Sequence, residues 1–215
     1  MIKKLILLIL LFQFQTSFSQ KRKSVILDTL KFKSKKCETC PVENIILIYK
    51  LLKCGLYEGN NKDIAFKSAR LKSDFESEKS FISSIWGVNK KDSINGGIVK
   101  MKNVIDTKSF KFLNYSYWKD KKKVYYYFAN SDGGSVSIVD FADSKTIQIF
   151  DDTRYAKDNV NVYYSGVKIN NADTKTFKIF KNGVHSDFGF DKLNFYEFER
   201  VLTENEVKEY KLKRE

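Results

Sequence analysis

The chain has 215 residues, of which 30% are charged, and a formal net charge of +13 at pH 7. This length fits one or two domains. The three cysteines and the single histidine have no recognised zinc spacing, and the sequence contains neither a GxSxG nucleophile elbow nor a glycine-rich phosphate loop. The sequence therefore argues against a zinc protein, an α/β-hydrolase and a phosphate-loop nucleotide-binding protein.

Residues 1–19 have the pattern of a secretory signal. Two lysines precede an apolar run at 5–12, and Ser17 and Ser19 supply the small residues before a cleavage site at Gln20. Because the apolar run is shorter than the roughly 20 residues that cross a bilayer, a cleaved signal is favoured over a retained membrane anchor. No later stretch is long and apolar enough to be transmembrane. The mature chain is therefore expected to be exported to the periplasm, the cell surface or the medium.

Residues 20–36 are predicted to form a basic arm. Between Lys21 and Lys36, seven lysine and arginine residues stand against one acid, Asp28, for a net charge of +6. Basic clusters bind polyanions by releasing counterions, but a solvated leader explains the same composition and is favoured. Apolar residues within SVILDTLKF, residues 24–32, indicate that part of the arm pairs as a strand instead.

A helical segment carrying a cysteine pair is predicted over residues 37–85. Pro41 and Gly55 are typical of the two ends of a helix, and apolar residues at helical spacing favour a helix over 42–53. Cys40 would then lie at a helix N-terminus, which stabilises a thiolate. One hypothesis is therefore a thiol–disulfide redox protein using Cys37 and Cys40. A structural disulfide or inert thiols are favoured, because a thioredoxin-like site expects alternating strands and helices.

The same predicted helix bears on the third cysteine. A helix from Pro41 to Cys54 would be about 20 Å long, whereas the Cα atoms of a disulfide lie within about 7 Å of each other. We therefore predict a Cys37–Cys40 disulfide and a free, buried Cys54. One or two further helices are predicted over 62–85, where apolar residues fall at loosely helical intervals.

Residues 86–200 are predicted to form β-meander repeats. In residues 155–180, YAKDNVNVYYSGVKINNADTKTFKIF, short runs of Val, Tyr, Ile and Phe are separated by Asp, Asn and Gly, which is typical of strands joined by tight turns. Parts of this string recur as WGVNKKDSI from Trp86, YWKDKKKVYY from Tyr117 and FGFDKLNFYE from Phe188.

The spacing of the acids gives the period of the repeat. The closing corner recurs as DTKSFKFL, DSKTIQIF and DTKTFKIF, which begin at Asp106, Asp143 and Asp173. The acids of the other turn fall at 120, 158 and 191, in steps of 38 and 33 residues. A period in the thirties is typical of a supersecondary unit that must stack on its neighbours to bury its apolar face.

The repeated string resembles the DKNYY repeat family. The shared pattern is an aromatic residue, Lys-Asp, an apolar residue, two tyrosines, a glycine and an ADxxTF corner. The resemblance is specific over 155–180, good over 117–150 and partial over 86–113 and 188–198. In the copy at 117–150, FANSDGGSVSIV replaces a simple glycine turn, which predicts a longer hairpin with its tip at Asp132. The family has no established activity, so the resemblance assigns no catalytic residue.

The candidate binding residues are tyrosines of the predicted strands, namely Tyr125, Tyr126, Tyr163, Tyr164 and Tyr196. Neighbouring residues of a strand face opposite sides of the sheet. One tyrosine of each adjacent pair therefore points away from its own core, and exposed rows of tyrosine could stack on sugars or anchor a protein interface. The favoured alternative is that neighbouring repeats or helices cover both faces.

Acids are plentiful in the repeats, but turn formation explains them without catalysis. They fall at repeat corners, namely Asp140, Asp143, Asp151, Asp152 and Asp158. A paired-carboxylate glycosidase would bring two acids together only in space, and a serine hydrolase would have to rest on the single histidine, His185. No catalytic residue, cofactor or metal is predicted.

Residues 201–215 are predicted to hold a short helix over 204–213, because Thr203 and Glu206 have the spacing of a capping box. The expected fold is mainly β (α+β overall), with antiparallel β-meander repeats, an N-terminal helical segment and a short C-terminal helix. The favoured function is a non-enzymatic, exported module that binds an unknown protein or glycan of the cell envelope. The sequence does not favour nucleic acid as a partner, and the redox hypothesis is the alternative.

Overall fold

The structure is a computed structural model that describes residues 26–34, 43–71, 77–86, 97–114, 116–150, 153–180 and 188–214. Strands account for most of the regular structure in these ranges, and the only helices in them are two short ones. The prediction of a mainly β protein is therefore confirmed. The predicted signal, Cys37, Cys40 and His185 lie outside the described residues.

The N-terminal sheet contains five strands, each paired antiparallel with the next along the chain. They are Leu27–Ser34 (β1), Glu43–Leu51 (β2), Tyr57–Gly59 (β3), Ile64–Leu71 (β4) and Ser77–Ile82 (β5). One face of the sheet surrounds a small core of Tyr49, Tyr57 and Ala65, on which Phe81 packs. The side chain of Asp28 on β1 reaches Lys67 on β4 and Lys79 on β5. The sheet therefore curls until its first strand lies near its last two.

The helices predicted over 42–53 and 62–85 are wrong. Residues 43–51 form β2, where the side chains alternate from exposed Ile46 and Ile48 to buried Tyr49, a period of two. The β-branched and aromatic residues of this stretch favour a strand, and the apolar spacing we assigned to a helix is compatible with both periods. Gly55, predicted to end the helix, has φ +89 and lies in the turn between β2 and β3. Within the predicted basic arm, residues 26–34 are described, and 27–34 form β1. The alternative that part of the arm pairs as a strand is therefore confirmed.

The second sheet contains six strands and joins the N-terminal region to the first repeat. They are Ser84–Trp86 (β6), Ile98–Lys100 (β7), Lys111–Phe112 (β8), Tyr117–Lys119 (β9), Val124–Phe128 (β10) and Ser135–Ile138 (β11), and a short helix, Met101–Val104 (α1), follows β7. The order in the sheet is β7-β6-β11-β10-β9-β8, with one parallel pair between β6 and β11. Of the faint copy that begins at Trp86, only Trp86 itself is described, at the end of β6, and residues 87–94 lie outside the described residues.

The third and fourth sheets are four-stranded antiparallel meanders of the same design. The third contains Gln148–Ile149 (β12), Tyr155–Lys157 (β13), Val162–Tyr164 (β14) and Val167–Ile169 (β15). The fourth contains Lys178–Ile179 (β16), Phe188–Phe190 (β17), Phe195–Glu197 (β18) and Arg200–Val201 (β19). We call residues 106–138 the first unit, 143–169 the second unit and 173–201 the third unit. Each unit begins at a corner acid and passes through four strands.

The units stack face to face, and adjacent residues of a strand enter different cores. Tyr163 enters the core between the first and second units, whereas Tyr164 enters the core between the second and third. Tyr125 likewise packs toward the N-terminal region, and Tyr126 toward the second unit. The predicted stacking of repeats is thus the arrangement observed, and it buries both faces of each inner sheet.

A short helix, Glu204–Glu209 (α2), follows the third unit. The predicted capping box is confirmed, because the Thr203 side chain accepts from the Glu206 backbone N–H and the Glu206 carboxylate accepts from the Thr203 backbone N–H. The helix ends four residues before the predicted 213. Leu202 and Leu212, on either side of it, pack against the phenylalanines of the last sheet, so this segment covers the outer face of the third unit. Within the described residues, no helix has both the length and the apolar character needed to span a membrane.

Candidate functional site

A buried aspartate organises the turn in the middle of each unit. In the second unit, Asp158 Oδ1 accepts hydrogen bonds from the backbone N–H groups of Val160 and Asn161, both at 2.7 Å. Its other oxygen, Oδ2, accepts from the Tyr163 hydroxyl at 2.8 Å and from the backbone N–H of Asp143 at 2.9 Å. We call this carboxylate and its four donors the turn network. It ties the turn, the following strand and the corner of the unit to one side chain.

The turn network is the same in all three units. Asp120 accepts from the backbone N–H groups of Lys122, Lys123 and Asp106 and from the Tyr125 hydroxyl, at 2.7 to 3.0 Å. Asp191 accepts from the backbone N–H groups of Leu193, Asn194 and Asp173 and from the Tyr196 hydroxyl, at 2.7 to 2.9 Å. The three carboxylates are almost completely buried. In each unit the tyrosine follows the aspartate by five residues, so the repeated string places the two side chains where they can form this hydrogen bond.

Burial and hydrogen bonding shift the pKa of the three tyrosines of the turn networks and of Asp191. Burial, together with the neighbouring carboxylate, raises the pKa of the hydroxyls of Tyr125, Tyr163 and Tyr196 far above their ordinary range. Burial of Asp191 opposes its ionisation, but four hydrogen bonds to its carboxylate outweigh that effect and lower its pKa. A carboxylate with all its acceptor sites in use has no vacant lone pair for a substrate. The turn network is therefore a structural element of the fold.

The corner acids form a second repeated set of hydrogen bonds. In the second unit, Asp143 accepts from the Lys145 backbone N–H and from the Thr146 hydroxyl, both at 2.9 Å. Asp106 and Asp173 make the same two contacts in their own units. The corner hydroxyl in turn accepts from the backbone N–H of the residue that follows the turn aspartate, as between Thr146 and Asn159 at 3.4 Å. Hydrogen bonds lower the pKa of all three corner acids; in Asp106 the largest effect comes from the Lys121 side chain.

The five tyrosines proposed as binding residues are buried, with exposed fractions between 0 and 4%. The hypothesis of exposed tyrosine rows is therefore wrong in this structure, and the alternative that both faces are covered is correct. The reason is the stacking of sheets, which gives a partner face to each tyrosine of an adjacent pair. Other tyrosines link the units: the Tyr117 hydroxyl accepts from the Gly166 backbone N–H at 2.9 Å and donates to the Arg154 carbonyl at 3.1 Å.

The surface that the stacked corners present to solvent is basic and polar. Each corner has the sequence Asp-Ser/Thr-Lys-Ser/Thr, and its lysine, Lys108, Lys145 or Lys175, is exposed. We call these three lysines and the turn residues beside them the corner edge. Between the corners of the second and third units lies a groove of about 370 Å³. Its lining consists of Thr146, Gln148, Lys157, Asp158, Asn159, Thr174 and Lys175.

Contacts along the corner edge join one unit to the next. The Lys119 ammonium donates to the carbonyl of Ser144 at 2.8 Å, and the Lys157 ammonium donates to the carbonyl of Thr174 at 3.1 Å. The Thr174 hydroxyl also donates to the carbonyl of Asn159 at 3.4 Å. The corner of each later unit therefore rests on the turn of the unit before it, which brings the three corners into one row.

Two acids of the N-terminal region form ion pairs with lysines. Asp28 forms ion pairs with Lys67, at 2.9 Å, and with Lys79. Asp63 forms ion pairs with Lys100 and Lys102, at 3.2 and 2.7 Å. The lysine partners hold the pKa of both carboxyls below their usual range, Lys79 having the largest effect on Asp28 and Lys102 on Asp63. These acids are therefore ionised structural partners.

The cysteine predictions are tested only at Cys54. Cys54 forms no disulfide and is partly buried, against the core beside Leu56, so the prediction of a free thiol is confirmed but full burial is not. The Cys37–Cys40 disulfide stays a prediction, since neither residue is described. In the described ranges, no cluster of three His, Cys, Asp or Glu residues could hold a metal ion.

Sequence reasoning missed two features of the repeats. It explained the repeated acids as turn formers without pairing each with the tyrosine five residues later, although that spacing is identical at Asp120, Asp158 and Asp191. It also passed over the corner lysine, which occupies the third position of all three corners. The signal for both was an unchanged spacing within copies that otherwise differ.

Comparison with family models gave a match of residues 127–200 to the DKNYY family. The matched residues run from the end of β10 to the start of β19 and cover about a third of the chain. The resemblance to this family is thereby confirmed for the second unit and nearly all of the third. Comparisons with curated proteins and with solved structures gave no significant match.

Proposed function

We propose that this protein is an exported, non-enzymatic module that binds a component of the cell envelope through the surface of its stacked repeats. The observation that carries the proposal is the turn network. The aspartates and tyrosines that define the repeat are buried and bonded to one another, as at Asp158 and Tyr163. The repeated string therefore builds a rigid scaffold, and the partner is bound by residues exposed on the surface of that scaffold.

The class of function follows from what the scaffold offers. Solenoid-like arrays of repeats present extended surfaces, which is how such proteins commonly bind large partners. Here the corner edge supplies exposed lysines and a polar groove. The N-terminal pattern of residues 1–19 supports export, and thereby a partner outside the cytoplasm.

The redox alternative loses one of its two supports. The Cys37–Cys40 spacing lies outside the described residues, and the other support was a helix N-terminus at Cys40, where the helix dipole lowers the pKa of a thiol. Residues 43–51 form the strand β2 instead of that helix. We therefore keep the binding module as the single proposal.

Export is tested by fractionating the native host that carries the chain with a C-terminal tag. We expect the tagged chain in the envelope or medium fraction, with an intact mass that corresponds to an N-terminus at Gln20. Retention of an unprocessed chain in the cytoplasm would refute export.

Binding is tested by co-sedimentation of the purified protein with isolated envelope fragments. Fragments digested with protease, which retain their glycans, are compared with fragments whose glycans have been removed. We expect the folded protein to sediment with at least one preparation and the heat-unfolded protein to stay in solution. The preparation that retains binding tells a glycan from a protein partner. If neither preparation carries the folded protein down, the proposed function is wrong.

A further inference from the structure

The three corners repeat one residue for which the fold has no evident use. In Asp143-Ser144-Lys145-Thr146, the aspartate accepts two hydrogen bonds, and the threonine hydroxyl accepts one from the Asn159 backbone N–H in the neighbouring turn. Lys145 donates its backbone N–H, which any residue except proline provides, and its charge is a minor contribution to the lowered pKa of Asp143. Lys108 and Lys175 occupy the same position, and among the described residues none of the three ammonium groups forms an ion pair.

Neighbouring exposed positions have diverged while this lysine has not. The residue after the turn aspartate is Lys121, Asn159 or Lys192 in the three units. The next residue is Lys122, Val160 or Leu193. Where the first of these positions is lysine, it pairs with the corner acid, Lys121 with Asp106 and Lys192 with Asp173. The second position forms no ion pair among the described residues, and it has changed in all three units. The unchanged lysine therefore indicates a role outside the folded chain.

The corner edge has the geometry of a linear binding track. The contacts of Lys119 with Ser144 and of Lys157 with Thr174 place each corner on the preceding turn. Stacked sheets lie about 10 Å apart, so the three lysines form a row with about one cation every 10 Å. The groove lies along this row, and apart from Asp158, whose carboxylate is fully bonded, its lining is neutral or cationic.

We propose that the corner edge binds an extended, acidic glycan, one bearing carboxylate groups, along Lys108, Lys145 and Lys175. The inference rests on the proposed function and names its ligand class. Each lysine contacts one anionic group, and the threonine, asparagine and glutamine side chains of the groove hydrogen-bond the hydroxyls of the intervening sugars. The hydroxyls of Thr146 and Thr174 donate within the chain and keep lone pairs that can accept from sugar hydroxyls. The side-chain amides of Gln148 and Asn159 can both donate and accept.

A nucleic acid fits the same surface less well. Duplex DNA carries one charge per about 1.7 Å of its axis, a much denser pattern than one lysine per 10 Å. Proteins that bind single strands stack the bases on aromatic side chains, and none of the seven residues that line the groove is aromatic. Nucleic acid is therefore treated as a competing outcome of the test.

The test measures binding of the purified protein to fluorescently labelled polygalacturonate, a linear polymer of an acidic sugar, by anisotropy at low and moderate salt. Neutral pullulan and duplex DNA serve as competitors. The variant Lys108→Gln/Lys145→Gln/Lys175→Gln is compared with Lys50→Gln/Lys168→Gln/Lys208→Gln, which removes the same charge from exposed lysines elsewhere. A third variant, with arginine at the three corner positions, retains the charge.

We expect the corner glutamine variant to bind at least about tenfold more weakly, a loss of about 1.4 kcal/mol, and to show a shallower salt dependence. The matched control and the arginine variant should stay within about twofold of the original chain. Circular dichroism should be unchanged in the two corner variants, since no described hydrogen bond or ion pair uses the three corner ammonium groups.

Three results would overturn the inference. Equal weakening in the two glutamine variants would assign binding to net charge alone, and stronger competition by DNA than by unlabelled polygalacturonate would assign it to nucleic acid. Absence of polygalacturonate binding would reject the acidic glycan. The envelope sedimentation experiment distinguishes these results from a failure of the proposed function. If only the acidic-glycan inference is wrong, the original chain and the corner glutamine variant both sediment with the envelope fragments.

Discussion

Buried carboxylates are satisfied by near neighbours in the repeat units and by distant lysines in the N-terminal sheet. Each donor to Asp120, Asp158 and Asp191 lies within 18 residues of its acceptor. The ion-pair partners of Asp28, in contrast, are Lys67 and Lys79, which are 39 and 51 residues away. A repeat unit therefore contains the donors for its own buried aspartate, whereas the ion pairs of Asp28 form only when the first strand of the N-terminal sheet meets its fourth and fifth.

The two regions also differ in the charge of the groups that donate to their buried carboxylates. The turn network uses backbone N–H groups and tyrosine hydroxyls, whose hydrogen bonds to a buried carboxylate are little affected by salt. The lysines around Asp28 are 38 to 41% exposed, so salt screens these pairs. The two regions should therefore respond differently to mutation and to ionic strength.

The largest expected effect is the loss of a turn network. Asp158→Ala leaves four donors, including the Tyr163 hydroxyl, without their acceptor, and we expect it to reduce the free energy of unfolding by about 4 kcal/mol. Asp158→Asn should cost less, because an amide oxygen can still accept from Val160 and Asn161. Chemical denaturation measures both. The control is Asp132→Ala at the exposed hairpin tip, and a loss at Asp158 as small as at Asp132 would contradict the role of the network.

Gly189→Ala tests the packing within the third unit, beside Phe177, which lies in the core shared with the second unit. A Cβ atom there would lie 2.4 Å from Phe177 Cζ, so we expect overpacking to cost about 2 kcal/mol. The equivalent pair in the second unit is Ile147 with Ala156, both in one core. The double variant Gly189→Ala/Phe177→Ile should therefore be more stable than the sum of the two single losses predicts. The double-mutant cycle compares thermal unfolding of the original chain, the two single variants and the double variant. Strictly additive losses would show that the two positions do not share a packing site.

Tyrosine-to-phenylalanine substitutions test whether the three units are equivalent. Tyr125→Phe, Tyr163→Phe and Tyr196→Phe each remove one hydroxyl donor from a turn aspartate while retaining the ring. We expect each to cost about 1 to 2 kcal/mol. Denaturation of the three variants under one set of conditions provides the comparison. A much smaller effect in one unit would show that its network contributes differently despite the shared geometry.

The smallest expected effect is that of salt and acid on the ion pairs of Asp28. Its pKa is lowered in the folded chain, so its contribution is present above the unfolded pKa near 4 and is lost as the pH falls below that value. We expect up to about 1 kcal/mol from these partly exposed pairs, and the same loss in high salt at neutral pH.

Hydrogen exchange of single amides separates the two regions in that experiment. The pKa of Asp191 is also lowered, so amides of β18 should lose protection in acid as those of β1 do. Only β1 should lose protection in high salt, because the donors to Asp191 carry no formal charge. Asp28→Asn should abolish the salt response of β1. Equal salt sensitivity in β18 would remove the distinction between the two regions.

The repeats were predictable because residues close together in the chain determine their strands and turns. Turn acids, small polar residues and runs of β-branched and aromatic residues recur within each unit, and the corner and turn strings lie in the observed corners and turns at Asp143 and Asp158. Strand β2 was predicted as a helix because the apolar spacing of residues 43–51 fits two periods. Pairing with β1 and β3 decided between them, and that pairing joins segments far apart in the chain.

The candidate site shows the same division. The sequence placed Tyr163 and Tyr164 on opposite faces of a strand, but it could not say that both faces would be covered, since that depends on the neighbouring sheets. The corner lysines were visible in the repeated strings, yet only the hydrogen bonds of their neighbours showed that the fold does not use their side chains.

By itself the sequence determined the mainly β class, the period of the repeat, the positions of its turns and the cap of the C-terminal helix, because each depends on residues close together in the chain. The tertiary structure alone decided the conformation of residues 43–71, the burial of the tyrosines and the alignment of the corner lysines. These depend on which surfaces meet when distant strands pair and sheets stack, and the free energy of that burial outweighs weak local preferences.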